Sequence, residues 1–564
     1  MLAKASKNYK NMKTNYDVCI IGGGLAGLTL SLQLKSINAE ISILVIERRK
    51  GKAPDSAHKV GESTVELGTY YLREVLNLKD YLDEDQLPKE GLRFFLTPQH
   101  KNDISKRVEL GPKSTVPVAS HQLDRGTLEN ELVKRAKKLG VKILFNSKVS
   151  NIDININKEN HKVTYFTGGI EKIINSRWAI DASGRSSFLK RKLGFKKDLN
   201  HDINTAWFRV KGKIDVADWS ENKKWIESVE PGKRRLGTVH FMDKGYWVWL
   251  IPLATGNTSI GIVADPRYHD FVEFNNFEKA MNWLKIYEPL CFKHLNKKTD
   301  DVLDFRVLKH YSHHSERLYS NERWAVTGDS GMFLDPFYSP GTDFIAISNT
   351  FITDLINRDM KKEDIFLRTN VFEQAHFSLF NNWMPIYKDK YQLWGLTQTM
   401  ILKIYWDWLV YWSVPTLLFT NNGFTNISVL KELFSSKDKI GQKFGQLNLK
   451  MQQIFIEWSK YDTKTISNKY IDLFDSTNIV ALHKGIEMRY TPELLVDKIH
   501  INVSLLENIA SEIFRLMSTQ IYNTSSDLKV NPYFMSLLEK PKDDINGNLT
   551  NLMIKNDVNK MWLY

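Results

Sequence analysis

Hydrophobic positions follow three successive patterns along the chain. Between residues 16 and 50, an apolar run, a glycine-rich turn, a stretch with helical spacing and a second apolar run follow one another, which predicts strand, turn, helix and strand. Residues 204–264 alternate apolar and polar positions in several short runs, as in an antiparallel sheet. From residue 344 onward the spacing is mostly helical. This order predicts an α/β fold with an inserted antiparallel β-sheet and a C-terminal, mainly helical region.

Single elements can be placed within this outline. Strands are expected at residues 16–21, 41–46, 92–96, 141–145, 178–181 and 324–328, and helices at residues 128–139 and 344–355. We assign residues 1–355 to one module, with an inserted substrate sheet at about 204–310. Residues 356–564 are assigned to a helical domain that caps the substrate pocket.

The first strand runs into a glycine-rich turn that predicts a Rossmann-like dinucleotide site. The turn reads Gly22-Gly23-Gly24-Leu25-Ala26-Gly27. Gly22 permits the tight turn, Gly24 lets the backbone approach a pyrophosphate, and Gly27 lets helix and strand pack closely. The diphosphate would lie beside Ala26 at the positive end of the helix. Glu47 ends the second strand, twenty residues after Gly27, and a carboxylate there accepts hydrogen bonds from ribose hydroxyls.

Distant segments resemble the glutathione-reductase-like group of FAD proteins. One is the strand at 178–181, which ends in an acidic, small and glycine turn; another is the strand at 324–328, which is followed by Asp329. A third is Leu123-Asp124-Arg125 before a helix. The resemblance implies that Asp329 binds the ribityl chain, that Arg125 contacts the flavin, and that the cofactor is FAD rather than NAD.

A tryptophan motif narrows the resemblance. It reads Trp247-Val248-Trp249-Leu250-Ile251-Pro252. It is similar to the WxWxIP pattern of the flavin-dependent halogenases, the tryptophan-halogenase-like superfamily. In a strand Trp247 and Trp249 lie on one face, and the resemblance implies that they separate flavin from substrate, so that halide is oxidised instead of the substrate being oxygenated. The alternative is a plain aromatic strand in a core.

A lysine carries the second part of this resemblance. The loop His58-Lys59-Val60-Gly61-Glu62-Ser63-Thr64 is similar to the family's loop between the flavin and halide sites, with Gly61, Glu62 and Ser63 as the expected contacts. Pro88-Lys89-Glu90-Gly91-Leu92-Arg93-Phe94 resembles the family's segment with an essential lysine. Lys89 is therefore the expected acceptor of hypohalous acid, a role that favours a desolvated lysine with a lowered pKa. The alternative is a solvated lysine before a strand.

A later loop resembles the family's C-terminal flavin loop but departs from it twice. It reads Asp335-Pro336-Phe337-Tyr338-Ser339-Pro340-Gly341-Thr342-Asp343. The resemblance implies that Pro336, Gly341 and Thr342 bind the cofactor and that Ser339 belongs to the halide site. Tyr338 replaces the glutamate of tryptophan halogenases, which favours the phenol- or pyrrole-type branch. Pro340 lacks the backbone N–H that often contacts halide, so a monooxygenase or dehydrogenase on this scaffold is the alternative.

Composition adds location and partners to this picture. Of 564 residues, 42% are hydrophobic and 25% charged, with a net charge of +13, which suits a soluble globular protein. Two isolated cysteines, Cys19 and Cys291, favour a reducing cytosol, and the N-terminal lysines precede no apolar signal stretch. Because the basic residues are dispersed, nucleic acid is not an expected partner. His310, His313 and His314 lie close together, but we expect no metal site.

The aromatic stretch at residues 391–419 leaves three interpretations open. It contains Trp394, Tyr405, Trp406, Trp408, Tyr411 and Trp412 and is interrupted by Lys403, Asp407 and Pro415. A bilayer span needs about 20 largely uncharged apolar residues, so the stretch does not span a membrane. It can form a helical cap over an apolar pocket, pack as ordinary core, or contact a membrane surface, the last being least favoured.

Together the resemblance implies a cytoplasmic flavin-dependent halogenase of secondary metabolism. The substrate would be a small, electron-rich aromatic or conjugated compound, free or tethered to a carrier, with halide and O₂ as co-substrates. Because the sequence has no second glycine-rich nucleotide motif, we expect a separate flavin reductase to supply reduced FAD.

Overall fold

The computed structural model describes residues 14–55, 59–157, 159–435, 437, 439–463, 466 and 469–562. His58 and the N-terminal lysines lie outside these ranges. The strands are β1 Asn15–Ile21, β2 Ile43–Ile46, β3 Leu87–Lys89, β4 Leu92–Phe95, β5 Glu109–Leu110, β6 Ser120–Gln122, β7 Lys142–Leu144, β8 Ser147–Asp153, β9 His161–Thr167, β10 Ile170–Asp181, β11 Lys196–Lys197, β12 Asn204–Val210, β13 Thr238–Asp243, β14 Tyr246–Pro252, β15 Thr258–Ala264, β16 Val302–Leu308, β17 His314–Ser315, β18 Tyr319–Ser320, β19 Trp324–Val326 and β20 Tyr470–Ile471.

The α-helices alternate with the strands at first and then dominate. They are α1 Leu25–Ile37, α2 Glu66–Tyr70, α3 Lys79–Asp85, α4 Arg125–Lys138, α5 Phe188–Lys192, α6 Lys223–Glu227, α7 Lys233–Leu236, α8 Phe277–Tyr287, α9 Pro289–Leu295, α10 Gly341–Met360, α11 Phe366–Tyr387, α12 Thr397–Ser413, α13 Pro415–Thr420, α14 Ile427–Ser435, α15 Ile440–Trp458, α16 Thr477–Gly485, α17 Pro492–Tyr522 and α18 Leu552–Trp562. A π-helical turn, Tyr71–Val75, continues α2.

The N-terminal sheet has the strand order β18-β19-β10-β1-β2-β7, and β8 and β9 extend β10 as an antiparallel meander. Its centre is parallel, with β1 between β10 and β2. The paired parts of β1 and β2, residues 18–21 and 43–46, are buried and apolar, as expected for a parallel sheet covered on both faces. The predicted strands of this region and the glycine turn that follows β1 are confirmed.

The second sheet has the order β16-β12-β15-β14-β13-β4-β5-β20. Strands β12 to β16 pair antiparallel, which confirms the alternating pattern of residues 204–264. The pattern did not reveal that β4 joins β13 in parallel. Nor did it reveal that β20, from the expected helical region, pairs with β5 at the edge.

The C-terminal region is mainly helical, as predicted. Helix α12 is buried at nearly every position, including Lys403 and Asp407, which form an ion pair of 2.6 Å. In the aromatic stretch, Trp394 and Trp406 are core residues, whereas Trp408 and Trp412 line a cavity. Among the described helices, none is long and apolar enough to cross a membrane.

Candidate active site

A large cleft lies at the carboxyl ends of the parallel strands, where ligands bind in such sheets. Its volume is about 1200 Å³, and Gly22, Gly24 and Ala26 line it. Gly22 has φ +107°, and a Cβ on Gly27 would lie 2.1 Å from the carbonyl oxygen of Gly22. Only glycine therefore permits this turn and its close contact with α1.

Charged side chains border the cleft where the sequence places them. The Glu47 carboxylate lies at the end of β2 and accepts hydrogen bonds from the backbone N–H groups of Gly23 at 2.6 Å and Arg49 at 2.7 Å. Arg125 donates to the carbonyl of Val60 at 2.8 Å and lines the cleft, as does Asp329 beyond β19.

These residues fit a flavin dinucleotide. A Cβ on Gly24 would project into the cleft, where it would meet the flexible end of Lys59 at 3.0 Å; the backbone there is open to a diphosphate. The N-terminus of α1 carries a positive electrostatic potential, because its first N–H groups have no hydrogen-bond partners within the helix. The carboxylate of Glu47 suits a ribose hydroxyl.

The loop of Gly61, Glu62 and Ser63 is held by the second sheet. Glu62 is buried and pairs with Arg209 of β12 at 2.7 Å, and the Ser63 hydroxyl lies 2.9 Å from that of Thr238. Gly61 has φ +92°, and a Cβ there would lie 2.9 Å from the Arg125 guanidinium. The side chains of Glu62 and Ser63 thus fix the loop and line neither cavity.

A second, enclosed cavity of about 50 Å³ lies between the N-terminal module and the helical region. Indole rings from α11 and α12, those of Trp383, Trp408 and Trp412, form much of its wall. Lys89 also lines it. Its lining combines apolar rings with polar and charged groups, as in small-molecule sites. Its volume is smaller than the roughly 150 Å³ of a cavity that holds benzene, so an aromatic ligand requires the walls to move apart.

Lys89 ends β3, where it pairs with Ser120 of β6. Its side chain is 2% exposed and donates a hydrogen bond to the carbonyl of Thr64. The alternative of a solvated lysine is therefore wrong. Burial lowers the pKa of Lys89 to about 8, against the opposing effect of the carboxyl groups of Glu66 and Asp343.

Those two carboxyl groups line the same cavity. Glu66 accepts hydrogen bonds from Trp412 and from His483 of α16, each at 3.2 Å. Asp343 accepts one from the backbone N–H of Gly68 at 2.8 Å and one from the Tyr411 hydroxyl at 2.9 Å. Donors from the helical region thus complete a site that begins in the N-terminal module.

The two tryptophans of β14 lie on one face, as their spacing requires, with ring centroids 5.7 Å apart. Trp249 donates to Ser259 and Trp247 to Tyr391. Neither ring lines the cleft or the cavity. Trp247 instead packs on Phe337, with centroids 5.4 Å apart, so the pair lies behind the loop at residues 335–341.

That loop turns sharply before α10. Tyr338 and Ser339 both have positive φ, at +67° and +60°, and the N–H of Ser339 donates to the carbonyl of Pro336 at 2.9 Å. Tyr338 and Pro340 line the enclosed cavity. Of the expected cofactor contacts in this loop, Pro336, Gly341 and Thr342 do not line the cleft.

Gly341 and Thr342 begin α10 and bring it against α2. A Cβ on Gly68 would lie 2.9 Å from the Thr342 side chain, so the absence of a side chain at Gly68 permits this crossing. The crossing places Asp343 against the cavity.

Two segments border both cavities. In the first, Lys59 and Val60 face the cleft, while Val65 and Glu66 face the enclosed cavity. In the second, at residues 340–345, Pro340 and Asp343 face the cavity and Ile345 faces the cleft. These two segments therefore form part of the wall of both the cleft and the cavity.

The three neighbouring histidines have protein partners. His310 pairs with Asp202, His313 lies 2.9 Å from the carbonyls of Tyr311 and Asp329, and His314 stacks on Phe380. Within the described residues, no group of three or more His, Cys, Asp or Glu side chains could hold a metal ion.

Sequence reasoning gave no role to Glu66, Asp343 or His483. Asp343 is in the first turn of a helix, where an acidic residue ordinarily stabilises the helix dipole, so its position alone does not indicate a function. Glu66 and His483 are separated by more than 400 residues in the chain, and no local pattern joins them. Trp207, which lines the cleft from β12, was also missed.

Comparison with known proteins agrees with this geometry. The model of the FAD binding domain family matches residues 15–261. The flavin-dependent halogenase chlA of Dictyostelium discoideum is 28% identical over 436 residues, which cover 72% of this chain and 70% of the relative. A chlorinase of 1H-pyrrole-2-carbonyl-peptidyl-carrier protein from Pseudomonas fluorescens is 24% identical, over 62% of this chain and 77% of the relative.

Solved structures share the fold. The crystal structure of halogenase PltM in complex with phloroglucinol and FAD has a TM-score of 0.59 and 15% sequence identity, and the match covers 87% of this chain and 96% of that one. The cleft, the family model and the relatives lead to the same conclusion. This chain is an FAD-dependent enzyme related to the flavin-dependent halogenases.

Proposed function

We propose that the protein halogenates a small phenol-like aromatic, using reduced FAD, O₂ and halide, and that Lys89 receives the hypohalous acid. One observation carries the proposal: Lys89 is buried in an indole-walled cavity that shares two wall segments with the dinucleotide cleft. A cationic, desolvated amine at that place can bind and orient a small electrophile.

The residues divide the work between the two cavities. Bound in the cleft, reduced FAD supplies the electrons with which O₂ and halide become hypohalous acid. The loop at residues 335–341, backed by Trp247, separates the cleft from the substrate. Lys89 then holds the acid by a hydrogen bond, and the indole rings of the cavity wall limit its escape into solvent.

The cavity favours a free substrate over a tethered one. It is lined both by indole rings and by the charged groups of Lys89, Glu66 and Asp343, and the Trp412 indole donates to Glu66. An aromatic ring with a hydroxyl group matches that lining. The phloroglucinol complex of halogenase PltM supports a phenol, whereas the chlorinase of a carrier-bound pyrrole is a relative with a tethered substrate.

Supporting partners and location are part of the proposal. We infer that a separate flavin reductase delivers reduced FAD, because the sequence has a single glycine-rich nucleotide motif. We take residues 1–355 as the flavin module and residues 356–564 as the cap. A cytoplasmic location suits the buried free thiols of Cys19 and Cys291.

The test is turnover of simple phenols with reduced FAD, O₂ and either chloride or bromide, with products identified by mass spectrometry. We expect halogenated phenol that depends on the halide. Products that are only oxygenated or dehydrogenated, whatever the halide, would show that the protein is a monooxygenase or dehydrogenase. The missing N–H of Pro340 would then have indicated the function correctly. Catechol and quinone standards distinguish these outcomes.

A further inference from the structure

Besides Asp407, which is ion-paired with Lys403, three charged side chains line the enclosed cavity. Asp343 is in the first turn of α10, Glu66 begins α2, and Lys89 ends β3. All three are at most 8% exposed. Each acts electrostatically on the other two. The halogen-transfer role proposed above uses only Lys89 and leaves the two carboxyl groups unexplained.

Hydrogen bonding leaves both carboxyl groups able to contact a substrate. Each oxygen of Asp343 and of Glu66 accepts one protein hydrogen bond. Because a carboxylate has about four acceptor positions, each group retains capacity on the side that faces the cavity. Tyr411, which donates to Asp343, also accepts from the N–H of Leu67 at 3.1 Å, so its hydroxyl is held in a fixed direction.

The surroundings give the two carboxyl groups different acidities. Burial raises the pKa of Asp343 to about 8, despite the hydrogen bonds from Tyr411 and Gly68. Burial also acts on Glu66, but the hydrogen bond and charge of His483, together with the charge of Lys89, hold the pKa of Glu66 below its usual value. Neighbouring groups whose pKa values are pushed apart in this way are candidates for separate acid and base roles.

We propose that Asp343 is the general base that accepts the hydroxyl proton of a phenolic substrate, while Glu66 remains the counter-ion of Lys89. This inference rests on the proposed halogenation and identifies the hydroxyl group as the part of the substrate that the site recognises. It requires a hydroxyl group on the ring, so the substrate class is phenols rather than pyrroles or simple arenes.

The step balances with hypohalous acid as the only oxidant. The bond between ring carbon and halogen forms as the halogen–oxygen bond breaks, and the leaving hydroxide takes a proton from the Lys89 ammonium and departs as water. The phenolic O–H bond breaks, and its proton moves to Asp343. The ring carbon then loses its hydrogen as a proton to the Lys89 amine, and Asp343 returns its proton to the oxygen. The sum converts arene and hypohalous acid into haloarene and water.

The dependence on pH follows from the groups around Asp343. Glu66 faces it from α2, Lys89 from β3, Tyr387 from α11 and Tyr411 from α12. Only the ionised form of Asp343 can accept a proton. Halogenation of an ordinary phenol should therefore fall as pH drops below about 8, whereas a phenol that is already ionised at that pH should show no such loss.

The experiment compares the wild type with Asp343→Asn on fluorinated phenols of decreasing pKa, in the presence of FAD, a reductase, O₂ and bromide. For phenol itself we expect a loss of about 10²–10⁴-fold in kcat/KM, the usual effect of removing a general base. The loss should shrink steadily along the series, because acidic phenols arrive deprotonated. Asp354→Asn, the same substitution later on α10 where Asp354 pairs with Arg358, is the matched control and should keep wild-type rates.

A wild-type measurement covers the case in which Asp343→Asn does not fold. The methyl ether of each phenol has no proton to give, and we expect the wild type to halogenate it at least about 10²-fold more slowly. A wild type that halogenates phenols and their ethers equally, or an Asp343→Asn variant with a constant or absent deficit along the series, would overturn the role of Asp343 alone. A wild type that halogenates no phenol would overturn the proposed function as well.

Discussion

The flavin cleft and the enclosed cavity differ in how the chain builds them. The cleft is wide, and one part of it is backbone at strand ends, with Gly22, Gly24 and Glu47 within one βαβ unit; side chains from later segments complete it. The cavity is small and is formed by side chains from segments as far apart as Glu66, Asp343 and Trp412. A ligand bound mainly by backbone leaves a local motif in the sequence, whereas a site assembled from side chains of many elements leaves none.

The two sites also differ in their electrostatics. The cleft is large and is lined by charged side chains such as Lys59 and Arg125, which suit a charged dinucleotide. Lys89 and Asp343 are buried beside the small cavity, and burial brings the pKa of each to about 8. We therefore expect changes in the cleft to remove cofactor, and changes in the cavity to alter chemistry while the cofactor stays bound.

The strongest test of this separation is Gly24→Val. The added side chain would occupy the place of the diphosphate, so we expect the purified variant to contain no FAD, as judged by flavin absorbance, and to be inactive. Gly485→Val is the control, because a Cβ there meets nothing within 4 Å. Full flavin occupancy in Gly24→Val would show that the diphosphate binds elsewhere.

Lys89→Ala should have the opposite profile. FAD content and oxidation of reduced FAD by O₂ should remain nearly intact, while halogenated product falls by about 10²–10⁴-fold, the range for positioning and activating groups. Lys89→Arg should also fail, because a guanidinium stays protonated and is oriented differently.

The control for this pair is Lys233→Ala, which removes a lysine that binds Glu90 outside the cavity. Its halogenation should match the wild type. Near-normal product formation by Lys89→Ala would exclude the lysine from the relay.

Replacement of both Trp247 and Trp249 by alanine should weaken the separation of the flavin cleft from the substrate cavity. With the rings gone, Phe337 and its loop lose their support, and we expect several-fold more hydrogen peroxide per halogenated product, or some hydroxylated product. Each truncation also costs about 3–5 kcal/mol of stability.

Trp219→Ala separates these two effects. Trp219 is a buried indole stacked on Phe241, in an apolar cluster separate from the one that contains Trp247 and Trp249. The Trp219→Ala substitution should lower the melting temperature without changing the release of hydrogen peroxide. If coupling is unchanged in the double variant, Trp247 and Trp249 are core residues only.

The mildest test is pH. The ammonium form of Lys89 is needed to protonate the leaving hydroxide, and it is lost as pH rises through about 8. Halogenation should then fall by up to about tenfold per pH unit, while FAD retention in the same samples changes little. A rate that stays constant to pH 10, measured with a stable reductase system, would contradict the lowered pKa.

The sequence predicted the glycine turn and a few further residues of the cleft, and only one corner of the cavity. The roles of residues 22–27 and Glu47 could be predicted, because these residues lie close together in the chain and the strands around them have a regular hydrophobic pattern. Lys89 was found through a family motif, but its burial depends on indoles more than 290 residues later in the chain. Glu66 and Asp343 could not be paired, because only the crossing of α2 with α10 brings them together.

Strand β20 also was not predictable, since two residues, Tyr470 and Ile471, are too few to carry a period. Lys403 and Asp407 gave a signal that could have been used. Two opposite charges four residues apart on an apolar helix indicate a buried ion pair, and the Tyr338 hydroxyl donates to Asp407 at 3.0 Å.

Strand β20 has a consequence for biosynthesis. During translation the edge of the second sheet at β5 has no partner until residue 471 has left the ribosome. An unpaired edge recruits other strands, and nascent multidomain chains are aggregation-prone at that stage. Fragments that stop before residue 470 should therefore contain the complete glycine-rich turn and yet aggregate and be poorly expressed.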